Sequence, residues 1–191
     1  MKRTNIFLLG VLMTLFGLPL FAEAALVDMG DGTIYDTDTK LSWLKDAGAG
    51  GIKSRDEALE WAATLKVGGL TGWRLPNADP ACGFNYNCYD SEIGRLYYVS
   101  LGNNAGRRTK DGPFTNLNPN PSNSPDLYWS GTTFEPDPPG AWLFNFYDGN
   151  QLGGSPGGSY SAWAVRPGAR SQTAPVPAKG TDGEGPKKET K

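Results

Sequence analysis

The chain has 191 residues, with 18 Lys and Arg against 20 Asp and Glu for a net charge of −2, and it contains no histidine. That absence removes the commonest general base, the commonest zinc ligand and every Ser-His-Asp or Cys-His arrangement. Two cysteines are too few for a four-thiolate zinc site or an iron–sulfur cluster, and six Trp, eight Tyr and eight Phe describe a globular domain with a large aromatic content.

Residues 1–24 have the form of a leader. Lys2 and Arg3 precede an uncharged apolar run over 6–21, and Ala22-Glu23-Ala24 supplies the small-x-small pattern of a signal-peptidase site. The run is short for a membrane span of about 20 residues and is interrupted by Gly17 and Pro19. No cysteine follows it, which argues against a lipid-anchored form. The expectation is an exported protein, periplasmic or secreted, with no membrane attachment after cleavage and a mature chain from Ala25.

Over 26–45, short β-rich runs (Thr33-Ile34-Tyr35 and Leu41-Ser42-Trp43-Leu44) are separated by Gly30-Asp31-Gly32 and Asp36-Thr37-Asp38, which are hairpin signals. Ser54-Arg55-Asp56-Glu57 then spells a capping box. Ala58, Trp61, Ala62 and Leu65 follow at helical spacing, with Gly68-Gly69 as the stop. Cys82 and Cys88 frame a seven-residue segment, and an oxidising compartment would bond each to the one partner the chain offers. Closing so short a ring is worth about 2.4 kcal/mol by chain entropy. A redox-active pair usually takes the tighter Cys-x-x-Cys spacing, so the bond reads as a staple.

A second helix is predicted over 91–101, with Ile93, Leu96, Tyr97 and Leu101 on one face and Gly102 as the stop. Gly94 should weaken it by about 1 kcal/mol relative to Ala. Residues 103–126 form a long polar loop, and three strands are predicted over 127–133, 141–148 and 160–166. In the second, Trp142, Phe144 and Phe146 alternate with Leu143, Asn145 and Tyr147, and Gly149-Asn150 offers a reversing turn. The run Ala162-Trp163-Ala164-Val165 reads as buried and central. Beyond residue 168 there is no aromatic side chain, and Val176 is the one aliphatic residue larger than Ala, so 169–191 is expected to be a disordered tail. The chain thus divides into a leader (1–24), one domain (25–168) and a tail (169–191). Helices in the middle with strands at both ends make the domain α+β.

Five motifs in order carry a resemblance: Gly30-Asp31-Gly32-Thr33, Trp43, Gly72-Trp73-Arg74-Leu75-Pro76-Asn77, Tyr128-Trp129-Ser130-Gly131 and Ala164-Val165-Arg166-Pro167. Together they resemble the Lcl C-terminal domain family, formerly a domain of unknown function, over about 28–168. The resemblance implies a C-type lectin-like fold: two helices packed on a small antiparallel sheet, with long loops and one disulfide. It also implies an extracytoplasmic, non-catalytic binding module whose partner is a glycan or a cell-surface protein. A studied member ends a collagen-like adhesin implicated in binding sulfated glycosaminoglycans, although no collagen-like repeat occurs here. The fold is shared with the formylglycine-generating enzyme group, which keeps an oxidoreductase or a glycan-acting enzyme as the alternative, beside a protein-interaction module.

Residue chemistry narrows these options. The domain carries −5, from 11 basic and 16 acidic residues, which opposes nucleic-acid phosphates. Glu57, Glu60 and Glu92 do not single out a carboxylate pair, so no catalytic residue is proposed. Asp28, Asp31, Asp36 and Asp38 lie close in sequence, but without EF-hand spacing they read as turn residues, and no metal or cofactor is expected. Glu135-Pro136-Asp137 is similar to the Glu-Pro-Asn triplet of sugar-binding C-type lectins, but without a partner triplet it reads as a turn. Each Trp is assigned to the core, and Arg74 and Arg166 to ion pairs or carbonyl clamps. The ligand-binding candidates sit on the long loop: Arg107, Arg108 and Lys110, the one dense basic cluster, with Asn116 and Asn118. Asn103 and Asn104 add further polar groups. An anionic glycan is the specific expectation. Substituting all three cations with Ala should leave stability unchanged if they form a solvated tip.

Overall fold

The computed structural model describes residues 25–117 and 126–168. Residues 1–24 and 169–191, expected as leader and tail, and Asn118 therefore lie outside the described residues.

The domain is α+β with two sheets. The first begins as a meander of β1 (Leu26–Asp28), β2 (Thr33–Asp36) and β3 (Leu41–Leu44). Its turns are built by aspartates, as Gly30-Asp31-Gly32 and Asp36-Thr37-Asp38 predict. Asp28 accepts from the Gly30 amide at 3.0 Å, and Asp31 accepts from the Thr33 amide and hydroxyl at 3.2 and 2.6 Å. Asp36, fully buried, accepts from the Asp38 amide at 2.9 Å and from the Ser100 hydroxyl at 2.7 Å, so one carboxylate ties the second turn to a distant helix.

Helix α1 (Arg55–Thr64) starts at the predicted capping box, with the Ser54 side chain and Glu57 bonded reciprocally. It ends four residues before the predicted glycine stop. Gly68 and Gly69, both at positive φ, form a separate tight turn in which Val67 and Leu70 exchange amide–carbonyl bonds of 3.2 and 2.8 Å. Helix α2 (Glu92–Arg95) is capped by Ser91 and runs into a π-helical turn, Leu96–Ser100. The predicted face is buried: Ile93, Leu96, Tyr97 and Leu101 are all in the core. The wider turn also brings consecutive Tyr97 and Tyr98 inward, with ring centroids 4.8 Å apart.

The second sheet has the order β4 (Ile52–Lys53), β8 (Tyr160–Ser161), β5 (Leu127–Thr133), β6 (Ala141–Asn145), β7 (Gln151–Gly154). Its β5–β8 pairing is parallel and the rest antiparallel, which corrects the expectation of one small antiparallel sheet. The β6–β7 reversal occurs at the predicted turn, with Gly149 at φ +88°. Strand β6 stops at Asn145, three residues early, because the Asn145 side chain accepts from the Tyr147 amide at 3.0 Å and begins the turn. Both faces of β6 are covered, so Leu143 is as buried as Phe144.

The predicted strand over 160–166 is not one strand. It divides into β8 and β9 (Val165–Pro167), which belong to different sheets; β9 pairs antiparallel with β3 at the edge of the first. Ala162, Trp163 and Ala164 make the crossing with no solvent exposure. Trp163 is the reason. Its ring meets Trp43, Phe114, Tyr128 and Phe146 at centroid distances of 5.1, 5.0, 5.5 and 5.4 Å, and its Nε1–H donates to the Leu44 carbonyl at 2.7 Å. Strand β7 escapes sequence prediction because it ends in glycines. A Cβ at Gly153 would lie 2.7 Å from the Phe134 ring, and one at Gly154 would lie 2.8 Å from Trp129.

Cys82 and Cys88 form the expected disulfide, with Cα atoms 5.6 Å apart. Alkylation of protein purified without reductant should label no thiol, and two after reduction. Two labelled thiols before reduction would contradict the bond.

Candidate functional site

The segment from Asn103 to Asp111 is a polar loop that the core holds rigidly. Asn103 is buried and acts as a clamp. Its Oδ1 accepts from the Thr109 and Lys110 amides at 2.8 and 2.9 Å, and its Nδ2 donates to the Lys110 carbonyl at 2.9 Å. From below, the Tyr97 hydroxyl donates to the Asn104 carbonyl at 3.3 Å. Burial pushes the Tyr97 phenol well above the ordinary range, so this donor keeps its proton. On the far side, the Gly106 and Arg108 amides donate to the carbonyls of Asp148 and Tyr147 at 2.8 and 2.6 Å, laying the loop against the β6–β7 turn.

This packing opens a cleft of ≈ 200 Å³ lined by Arg107, Arg108, Thr109, Asp111 and Tyr147. Two of the five predicted binding residues line it. Arg107 is exposed and free to meet a ligand from solvent. Lys110 is exposed beside the cleft rather than in it. Asn116 is exposed elsewhere, at φ +55° in the segment that pairs with Asp46. Asn118 lies outside the described residues.

Arg108 differs from its expected place at a solvated tip. Its side chain is 8% exposed, with Nε 2.7 Å from Asp111 and Nη1 3.7 Å from the equally buried Asp126. The guanidinium carbon lies 5.8 Å from the centre of the Phe146 ring. Burial raises the Asp126 carboxyl above the usual range, and Arg108 opposes that shift. Arg108 thus floors the cleft with a charge already balanced, and a triple alanine substitution that includes it would not be structurally neutral. Sequence reasoning missed Tyr147, since only the β6–β7 turn carries it to the loop.

Other charged residues serve the scaffold. Arg74 makes a two-pronged pair with Glu92, both bonds 2.6 Å, and Glu92 also accepts from the Asn77 amide at 2.7 Å. The Gly72–Asn77 motif thereby fixes the start of α2. It also pairs with Val165 through the Arg74 backbone and receives the Gly131 amide on Pro76, so three of the sequence motifs meet at one seam. Arg166 clamps the Thr71 carbonyl at 3.0 Å. The Arg95 guanidinium beside Asp38 holds that carboxyl below its usual range, and Lys45 does the same for Asp28. Glu135-Pro136-Asp137 forms the turn between β5 and β6. Five Trp residues are buried and Trp61 is partly so.

No group of three or more His, Cys, Asp or Glu side chains among the described residues is arranged to hold a metal ion. Among the same residues no helix is long and apolar enough to cross a membrane. Residues 32–166 match the Lcl C-terminal domain family. The chain matches no curated protein and no solved structure.

Proposed function

The chain belongs to the Lcl C-terminal domain family, and from that membership we propose that it is an exported, non-catalytic binding module on a C-type lectin-like scaffold, recognising an anionic glycan. The leader-like residues 1–24 support export, and the disulfide is consistent with an oxidising compartment. Two helices, two sheets and a disulfide-closed loop support the lectin-like scaffold.

The observation that carries the ligand assignment is the cleft at Arg107. It is open, its backbone is held before any ligand arrives, and it offers the Arg107 guanidinium with the hydroxyl-bearing Thr109 and Tyr147. A rigid loop loses little entropy on binding, so a few polar contacts suffice for selectivity. In a domain of net charge −5, Arg107 makes no ion pair among the described residues, while Asp111 in the same cleft is taken up by Arg108, and a lone guanidinium there favours a carboxylate or sulfate ester on a sugar.

An Arg107→Ala/Lys110→Ala double variant tests this on a heparin column, heparin serving as the anionic-polysaccharide probe. Both side chains are exposed, so stability should stay within about 0.5 kcal/mol of the wild type. The wild type should be retained at low salt and released as the Debye length falls from about 10 Å at 0.1 M to about 3 Å at 1 M. The variant should elute at distinctly lower salt. Identical elution would remove the cleft as the anion site.

A further inference from the structure

The disulfide-closed loop and the residue just after it display what the core otherwise hides. Among the described residues six large apolar side chains are exposed, and the three aromatic ones, Phe84, Tyr86 and Tyr89, all fall within six positions. The loop presenting them is rigid. Beyond the Cys82–Cys88 bond, the Asn85 side chain donates to the Cys82 carbonyl at 2.7 Å. Gln151, buried beneath, donates its backbone amide to the Asn85 carbonyl at 3.0 Å and its side-chain amide to Asp79 and Gly83 at 2.7 and 3.2 Å. Phe84 is seated against Phe134 and Trp142 at 5.5 Å each, yet remains 60% exposed. Tyr89 rests on Tyr98 at 5.4 Å. Tyr86 has its hydroxyl 3.5 Å from the Asp148 carboxylate.

These rings keep much of their surface in water while Phe84 and Tyr89 are held by ring contacts and Tyr86 by its hydroxyl bond to Asp148. We infer that this loop is a stacking ledge for an uncharged pyranose, with Tyr86 as the principal ring. Its composition selects that occupant. Exposed Asn85 and Asn87 alternate with the rings, and Asp90 and Asp148 lie beside them, whereas residues 82–90 contain no Lys or Arg. Rings suit the C–H face of a sugar, and amides and carboxylates suit its hydroxyls. The nearby carboxylates oppose an anionic unit, which distinguishes the ledge from the Arg107 cleft. The two surfaces are neighbours, because Asp148 meets Tyr86 through its side chain and the cleft loop through its carbonyl, at 2.8 Å from the Gly106 amide. One glycan chain can therefore span both, each contact raising the effective concentration of the other.

The inference rests on the reading of the chain as a glycan binder, but its test does not depend on Arg107. The full chain, disulfide intact, is titrated with uncharged hexamers of β-1,4-glucose, β-1,4-N-acetylglucosamine and α-1,4-glucose. Saturable binding of at least one is expected, unaffected by salt from 0.1 to 1 M. Tyr86→Ala should weaken it about tenfold, and Tyr86→Trp should preserve it. No saturable binding by any hexamer, or equal affinity of Tyr86→Ala and wild type, overturns the ledge, while retention on heparin would leave the anion site standing. If Tyr86→Ala instead abolishes binding to a protein and the hexamers never bind, the ledge serves a protein and the inference is wrong.

Discussion

Arg108→Ala is expected to destabilise the domain by about 3 kcal/mol, because removing one partner of a buried ion pair leaves the other charged and unpaired. For a domain of this size that corresponds to a melting temperature roughly 10 °C lower. The pH dependence has a definite sign. Burial raises Asp126, and without Arg108 its folded-state carboxyl rises further above the unfolded value of about 3.9. The folded state then binds more protons than the unfolded one, so this group lowers stability as pH climbs above about 4. The gap between variant and wild type should be smallest near pH 4 and widen toward pH 7. Adding Asp126→Ala to Arg108→Ala should recover part of the loss, since the two side chains are coupled. Thermal melts at several pH values check this, and a variant melting within 2 °C of wild type at pH 7 would place Arg108 in solvent after all.

Gly94→Ala should also destabilise strongly, although helix propensity alone favours Ala by about 1 kcal/mol. A Cβ at Gly94 would lie 2.2 Å from the Cys88 carbonyl oxygen and 2.4 Å from the Ser91 hydroxyl. Neither can step aside cheaply. Cys88 is buried and disulfide-bonded, and the Ser91 hydroxyl donates to that same Cys88 carbonyl at 3.0 Å while capping α2 through the Gly94 amide at 3.0 Å. The net loss should be about 3 kcal/mol, at the upper end for overpacking. Because the displaced backbone carries the aromatic loop, tyrosine near-ultraviolet dichroism should change along with the melting temperature. A variant more stable than wild type would mean that propensity outweighs the close approach.

The two variants mark where sequence reasoning stops. The Asp-built turns, the Ser54–Glu57 capping box, the buried face of the second helix and the reversing turn at Gly149 were all legible. Each depends on residues within a few positions of one another, and local hydrogen bonding and periodicity decide it. The disulfide was legible because the chain offers each cysteine one partner. The cleft was partly legible: the basic cluster marked the loop that lines it, but charge density could not tell which cation faces water.

What folding alone decided involves residues far apart in the chain. Trp163 divides one predicted strand between two sheets because its ring partners come from positions 43, 114, 128 and 146. Arg108 turns inward because Asp126 and Phe146 are buried beside it. Gly94, Gly153 and Gly154 look like weak points in isolated helices or strands, and they become the places where another segment comes too close for a side chain. Local propensity amounts to about 1 kcal/mol per residue, whereas burying a ring or balancing a buried charge amounts to several. Where the two compete, the distant partner sets the outcome, and that partner is known only once the chain has folded.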